Sequence, residues 1–301
     1  MTGFERKVDA DDLTAGVHPD EALGDLNTKL TFKGLHFPLV CDEFSGIAAH
    51  LKAQPFAPES LRFGSFADNV LAAELKVGGG SCRLGAPLVK NVTGFELKRF
   101  ALADPACLDR LGTVVLRLRT RAAARFAVEC SGQDAALDGF LMAVVRGTWR
   151  HALDRADFVV EEGGTTLHLA GGCEQDLVPA VMGGLRELVK THGVTGAPVV
   201  SSPEPGLPKA GVRVRTLVSK APVQARALVA AHGGRAHGFG GNGFFVYEPP
   251  AGSTGALEAC RKLDAELKPL AGYVRIPGED REGGEVEQTW LASLHGKWGI
   301  A

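Results

Sequence analysis

The stretch Val89-Lys90-Asn91-Val92-Thr93-Gly94-Phe95-Glu96-Leu97 decides how the chain is read. Physically it is a loop entering a helix. Asn91 or Thr93 can cap the first turn, and Gly94 lets another group approach the backbone closely. A purely structural turn and a ligand-facing loop both fit those properties.

Working outward, Phe95 to Leu102 reads as a helix and Val114 to Leu118 as a strand. Upstream, Val70 to Val77 reads as a strand turning at Gly78-Gly79-Gly80 toward Cys82-Arg83-Leu84. Arg62-Phe63-Gly64-Ser65 reads as a turn, and Gly46 to Leu51 as a short helix. Leu13 to Val17 is extended; His18-Pro19-Asp20 breaks it, and Ala22, Leu23, Leu26 and Leu30 recur at helical spacing up to Gly34.

After about residue 122 the texture changes. Strand Phe126–Cys130, helix 134–149, a hairpin across Gly163-Gly164 and helix 175–192 are followed by a Pro/Gly-rich linker from Thr195 to Gly211. The same order then returns as strand Val212–Val218, helix 221–232, a hairpin around Gly240-Gly241-Asn242-Gly243, helix 254–268 and strand Gly272–Ile276. This repetition predicts two related α+β halves on an antiparallel sheet. A closing helix is expected within Glu287 to Ile300.

Composition narrows the function classes. The 301 residues are 45% hydrophobic and 23% charged, ordinary for a globular chain of two domains. Thirty-three basic against 35 acidic side chains give a net charge of −2, which disfavours a nucleic-acid protein built on phosphate contacts. No apolar run reaches the ~18 residues of a membrane span and Met1 to Lys7 has no signal-peptide character, so a soluble cytoplasmic protein is expected. The six cysteines include no C-x-x-C pair, against zinc ribbons and self-contained iron–sulfur ligation. Gly238 to Gly243 precedes a strand, which fails the context of a dinucleotide loop. His151, His168, His192, His232 and His237 have no metal-ligand spacing and read as scattered histidines.

The 89–97 stretch resembles the K-N-V-T-G-Y-D-L segment of FAD-linked oxidases of the vanillyl-alcohol oxidase class, with a PCMH-type FAD-binding domain. It is most similar to the E-type FAD-binding subunit of bacterial glycolate oxidase. The likeness extends through Val8 to Val17, Phe37-Pro38-Leu39, Arg62 to Ser65 with Asp68 to Leu71, and more weakly through His237 to Gly243 and Gly272 to Pro277. It implies an α+β protein: a shortened PCMH-type FAD-binding domain over residues 1–121, then an α+β cap domain with an antiparallel sheet over 122–301. It implies FAD lined by Gly46, Gly64, Ser65, Asn91, Gly94 and Gly112, with Lys90 the matched cation that stabilises negative charge on reduced flavin or substrate. Oxidation of a 2-hydroxy acid is the implied reaction, with a catalytic flavin subunit and an iron–sulfur subunit as partners. No metal ligand is implied.

The departures from the family pattern concern one ligand. The family's first subdomain, with a glycine-rich loop cradling the diphosphate, is expected to be missing ahead of residue 1. Ser45 stands for a glycine beside Gly46, and bulky Leu51 and Lys52 follow. Ala103 to Leu111 carries Asp104, Pro105 and Asp109 where the family has a glycine-rich turn, leaving Gly112-Thr113. Carboxylates and added Cβ atoms both disfavour a diphosphate. Two readings follow: an FAD-linked oxidoreductase component, or a non-catalytic relative that has lost FAD and acts as a scaffold subunit.

Overall fold

The structure is a computed structural model describing residues 5–39, 43–53, 57, 59–86, 97–199, 211–270 and 272–276. It has an α+β architecture, helices with antiparallel sheets, in two compact units. Described residues within 5–57 and 63–121 form the first; 59–62 and 122–276 form the second.

In the first unit the strands are β1 (Val8–Asp9), β2 (Thr14–Val17), β3 (Leu35–His36), β4 (Val70–Val77), β5 (Gly80–Gly85), β6 (Leu111–Arg117) and β7 (Arg119–Thr120). Five of them make an antiparallel sheet in the order β1-β2-β6-β4-β5, and β3 pairs with β7. The first helix, α1 (Leu23–Thr31), buries Leu23, Leu26 and Leu30, the periodic apolar positions of the sequence. It stops where Gly34 takes a φ of +67°, a conformation costly for other residues. Helix α2 (Ile47–Ala53) packs Ile47 and Leu51 into the same core, together with Phe37, Leu39 and Phe66. Next come α4 (Leu97–Ala103) and α5 (Pro105–Leu108). The one-turn helix α3 (Ser60–Phe63) stands where the sequence reads as a plain turn, and its Arg62 ion-pairs with Asp154 at 2.9 Å within the second unit.

The second unit is one antiparallel sheet of eight strands. Its first half is β8 (Ala124–Ser131), α6 (Asp134–Arg146), β9 (Leu153–Glu161), β10 (Gly164–Cys173), α7 (Val178–Thr191) and β11 (Thr195–Val199). The second half is β12 (Val212–Arg215), α8 (Ala221–His232), β13 (Arg235–Phe239), β14 (Phe244–Glu248), α9 (Thr254–Leu267) and β15 (Tyr273–Arg275). The spatial order β11-β8-β10-β9-β13-β14-β12-β15 places the two repeats back to back, joined at β9 and β13. The expected repetition of strand, helix and hairpin is thus real.

One expectation is corrected. Thr195 to Val199 is not linker but edge strand, pairing Thr195 with Ser131 and Val199 with Ala127. Its Pro198 lacks an N–H donor, which an edge position tolerates. The rest of that linker that lies within 200–210, and the closing helix expected in 287–300, lie outside the described residues.

All four long helices of the second unit pack against one face of its sheet. Leu137, Phe140, Leu185, Leu228 and Cys260 from the helices meet Phe126, Phe158, Leu167, Val214, Phe245 and Tyr247 from the strands. Side chains alternate along a strand, so the residues between these face the other way. That opposite face carries Glu129, Arg155, Asp157, His168 and His237.

Candidate functional site

Two places can be built from the residues upward, one in each unit.

In the first unit, Gly64 has a φ of +77° and turns the chain out of α3. Ser65 follows, and its N–H and hydroxyl both donate to Asp68 Oδ2, at 2.9 and 2.7 Å. In return Asp68 N–H donates to the Ser65 carbonyl at 3.2 Å and lies 3.3 Å from Ser65 Oγ. This is the reciprocal pairing of a capping box, here across one 3-10 turn over Ala67–Asn69. Buried Asn69 completes it, donating from Nδ2 to the carbonyls of Phe63 (2.8 Å) and Ser65 (2.9 Å). The turn closes on itself.

The other glycines singled out by resemblance are also filled from within. A Cβ on Gly46 would stand 3.0 Å from both Cα and O of Asp20, because Gly46 bridges to Ala22 beside the Pro19 breaker. On Gly64 it would stand 2.9 Å from Asp68 Oδ2, and on Gly112, within β6, 3.1 Å from Glu74 Oε2. Among the described glycines of this unit, open space at the Cβ position occurs at Gly34, Gly78, Gly79 and Gly80, a helix end and a hairpin tip. Lys90, Asn91 and Gly94 lie outside the described residues.

The segment 103–109 has a local structural use as well. Asp104 caps α5: its Oδ1 accepts from Ala106 N–H at 3.1 Å and its Oδ2 from the Cys107 thiol at 3.1 Å. Proline at the first helical position suits this start. Asp109 ion-pairs with Lys52 of α2.

PCMH-type folds imply FAD, whose diphosphate needs outward-turned N–H donors and no carboxylate beside them. At 103–109 the described residues do not fit it: Asp104 stands where the resemblance has a glycine-rich turn, and its carboxylate accepts from Ala106 N–H and the Cys107 thiol. The Ser65 donors are taken up by Asp68, itself one of the matched residues.

The second place lies outside every motif read from the sequence. On the face of the eight-stranded sheet opposite the helices, Arg155 donates from Nε (3.2 Å) and Nη2 (2.7 Å) to Asp157 Oδ2. Asp157 is fully buried and His237 is 2% exposed. Cα pairing sets His168 opposite both Asp157 and Glu129, with His168 Nδ1 3.6 Å from Glu129 Oε2, too long for a hydrogen bond. His237 lies on the next strand, its ring edge-on to Phe239 at 5.2 Å. Asp157 Oδ1, His168 Nδ1 and His237 Nε2 are buried without a hydrogen-bond partner among the described residues.

Burial raises the Asp157 carboxyl to about 6, against the opposing pull of Arg155. Burial, reinforced by Arg155, Arg235 and His168, pushes His237 down to about 4. Burial lowers His168 as well, with Glu129 opposing. At neutral pH the cluster therefore holds one ion pair and two neutral imidazoles. Three buried thiols are held protonated: burial lifts Cys107 and Cys130 to about 12 and Cys260 to about 11. Among the described residues no group of His, Cys, Asp and Glu is placed to hold a metal ion, and no helix is long and apolar enough to cross a membrane.

The sequence did carry a signal for this cluster. Within β9, Arg155 and Asp157 stand two residues apart on one face, and His168 lies between leucines and His237 between small residues on neighbouring strands. Charged residues on the same face of neighbouring strands are rare in a core.

No family model matches the chain, and no curated protein does. Solved structures do. The chain is similar to alkyldihydroxyacetonephosphate synthase in one crystal form with a TM-score of 0.68 and 12% identity, covering 97% of this chain and 64% of that one. In a second crystal form the TM-score is 0.60, again at 12% identity, covering 87% of this chain. The chain thus spans less than two thirds of those structures, at 64% and 63% of their length.

Proposed function

We propose that this chain, on a PCMH-type oxidase fold, is a non-redox subunit of a flavin-linked assembly that oxidises 2-hydroxy acids. In this reading it does not grip FAD itself; a flavin-bearing partner and an iron–sulfur partner carry the electrons. The reading rests on one observation: where the resemblance has a glycine-rich turn, this chain has Asp104 capping α5, its carboxylate accepting from Ala106 N–H and the Cys107 thiol. A carboxylate beside a nucleotide's diphosphate costs free energy through like-charge repulsion, and added Cβ atoms obstruct the approach of the backbone.

Titrating FAD into the purified chain, followed by absorbance and flavin fluorescence, tests the reading. A colourless protein with no saturable quenching, which co-purifies with a larger yellow partner, is the expected result. A chain that isolates with stoichiometric flavin overturns it.

A second reading, an FAD-linked oxidoreductase in its own right, is favoured by the buried Arg155–Asp157–His168–His237 cluster, since buried titratable groups concentrate at reactive sites. The same titration separates the two. Flavin loading would return to Lys90, Asn91 and Gly94 the roles that the resemblance implies.

A further inference from the structure

On the helix-covered side of the second unit, a cleft of about 420 Å³ lies where the two halves meet, a size that suits a small molecule. The first half supplies Asp134 at the start of α6 and the turn between β9 and β10; the second supplies α8 from Arg226 to its end at Gly233. No atom stands within 4 Å of a Cβ position on Gly164, so the mouth is open. Charge gathers at two ends. At one, Arg226 is shared between Asp134, at 3.3 Å, and Asp138, while the Thr165 hydroxyl donates to Asp134 Oδ1 at 3.1 Å. One guanidinium between two carboxylates leaves a negative charge in excess, and Arg226 Nη1 is buried out of a ligand's reach. At the other end Arg235 neutralises Glu161 at 3.0 Å, but Glu162 has no ion pair or hydrogen bond among the described residues. Its Oε1 stands 3.4 Å from a Cβ position on Gly233, at the end of α8, where unpaired carbonyls and the helix dipole favour a cation. The wall between the two ends is apolar, from Val160, Val229 and Ala230.

We propose that this cleft binds a short aliphatic diamine as its dication, one ammonium at Asp134 and the other at Glu162. An anion would meet excess negative charge at both ends. A single ammonium answers only one of them, and no group of described His, Cys, Asp and Glu is placed to hold a metal ion. The apolar wall suits methylenes, which a polar ligand would leave in contact with its own hydroxyls. Length follows from α8: Arg226 and Gly233 are seven residues apart, which at ~1.5 Å per residue puts the two ends roughly 10 Å apart. Each ammonium sits ~2.8 Å from its carboxylate, which leaves about 4–6 Å between the two nitrogens, a chain of roughly three to four carbons. The inference is independent of the flavin reading, because every group in it belongs to the second unit.

Calorimetric titration of the full chain with 1,4-diaminobutane, alongside 1-aminobutane and 1,4-butanediol, tests it. Methyl NMR of the valines supplies a second readout. Saturable diamine binding is expected, about tenfold tighter than the monoamine, with the methyl resonances of Val160 and Val229 shifting and the diol producing neither heat nor shifts. Added salt should weaken it, because the cleft is open to solvent. Glu162→Gln, at an exposed position, should weaken the diamine about tenfold, as should Asp134→Asn, which leaves Arg226 its Asp138 partner. Should Asp134→Asn fail to fold by circular dichroism, Glu162→Gln and the wild-type NMR decide. Diamine that produces neither heat nor valine shifts overturns the proposal. So does a monoamine that binds equally well, or diamine binding that Glu162→Gln leaves unchanged.

Discussion

The turn at Gly64 to Asn69 and the sheet face around Asp157 differ in what they do with polar groups. In the turn, where the resemblance implies cofactor-lining residues, the side-chain donors of Ser65 and Asn69 each have a partner within the chain. On the sheet face, which no motif marked, three buried polar atoms have no hydrogen-bond partner among the described residues. Polar residues in a recognisable motif can be consumed by local structure, and residues far apart in sequence can be left waiting for a partner. Satisfaction of the groups, and not likeness of the letters, separates a structural turn from a binding surface.

The largest expected effect breaks the open side. Arg155→Met removes the ion-pair partner of a fully buried carboxylate and should cost about 3–5 kcal/mol in urea unfolding, while Arg155→Met combined with Asp157→Leu should recover much of that loss. A double variant as unstable as the single one would mean that the pair is not the unit of stability. On the closed side, Gly64→Ala places a Cβ at a φ of +77° and 2.9 Å from Asp68 Oδ2; a loss of roughly 1–3 kcal/mol is expected. Asp68→Ala removes the reciprocal cap and should cost about 1 kcal/mol in the same assay. No loss in either would show that the turn is held elsewhere.

The smallest net effect sharpens the comparison through pH. Asp157 has a folded pKa raised to about 6 from 3.8, so its ionisation costs stability above pH 6, and that cost is relieved as pH falls toward 4. His237 has a folded pKa lowered to about 4 from 6.5, so stability is lost as pH falls from 6.5 to 4. The two run in opposite directions over nearly the same window and offset one another in the wild type. His237→Gln should therefore make the chain gain stability on acidification from pH 7 to 4.5, and Asp157→Asn should make it lose stability over that range. Unfolding midpoints measured across pH check both slopes.

Much of the fold was legible because it is written in short-range periodicity. Leu23, Leu26 and Leu30 announced α1, the span Val70–Val77 appeared as β4 at its full length, and 221–232 appeared as α8. The repeated order of strand, helix and hairpin foretold two halves, and the topology joins them at β9 and β13. Thr195 to Val199 was misread because Gly196 and Pro198 interrupt it and the Pro/Gly-rich stretch continues beyond it. Its strand character comes from pairing with β8, a contact some 65 residues away that no local pattern carries. The candidate site was less legible. Gly46, Gly64, Ser65 and Gly112 were found by likeness, and their surroundings then proved to be the chain's own atoms.

The sequence by itself determined the α+β class, the repeated second unit and the glycines that the turns require, because backbone sterics and hydrophobic periodicity act over a few residues. Only the tertiary structure decided which polar groups are satisfied. It set Asp68 against Ser65 and aligned His168, Asp157 and His237 on adjacent strands. Hydrogen bonds and burial depend on which atoms meet in space, and sheet register brings together positions, such as Asp157 and Phe239, that the chain keeps 82 residues apart.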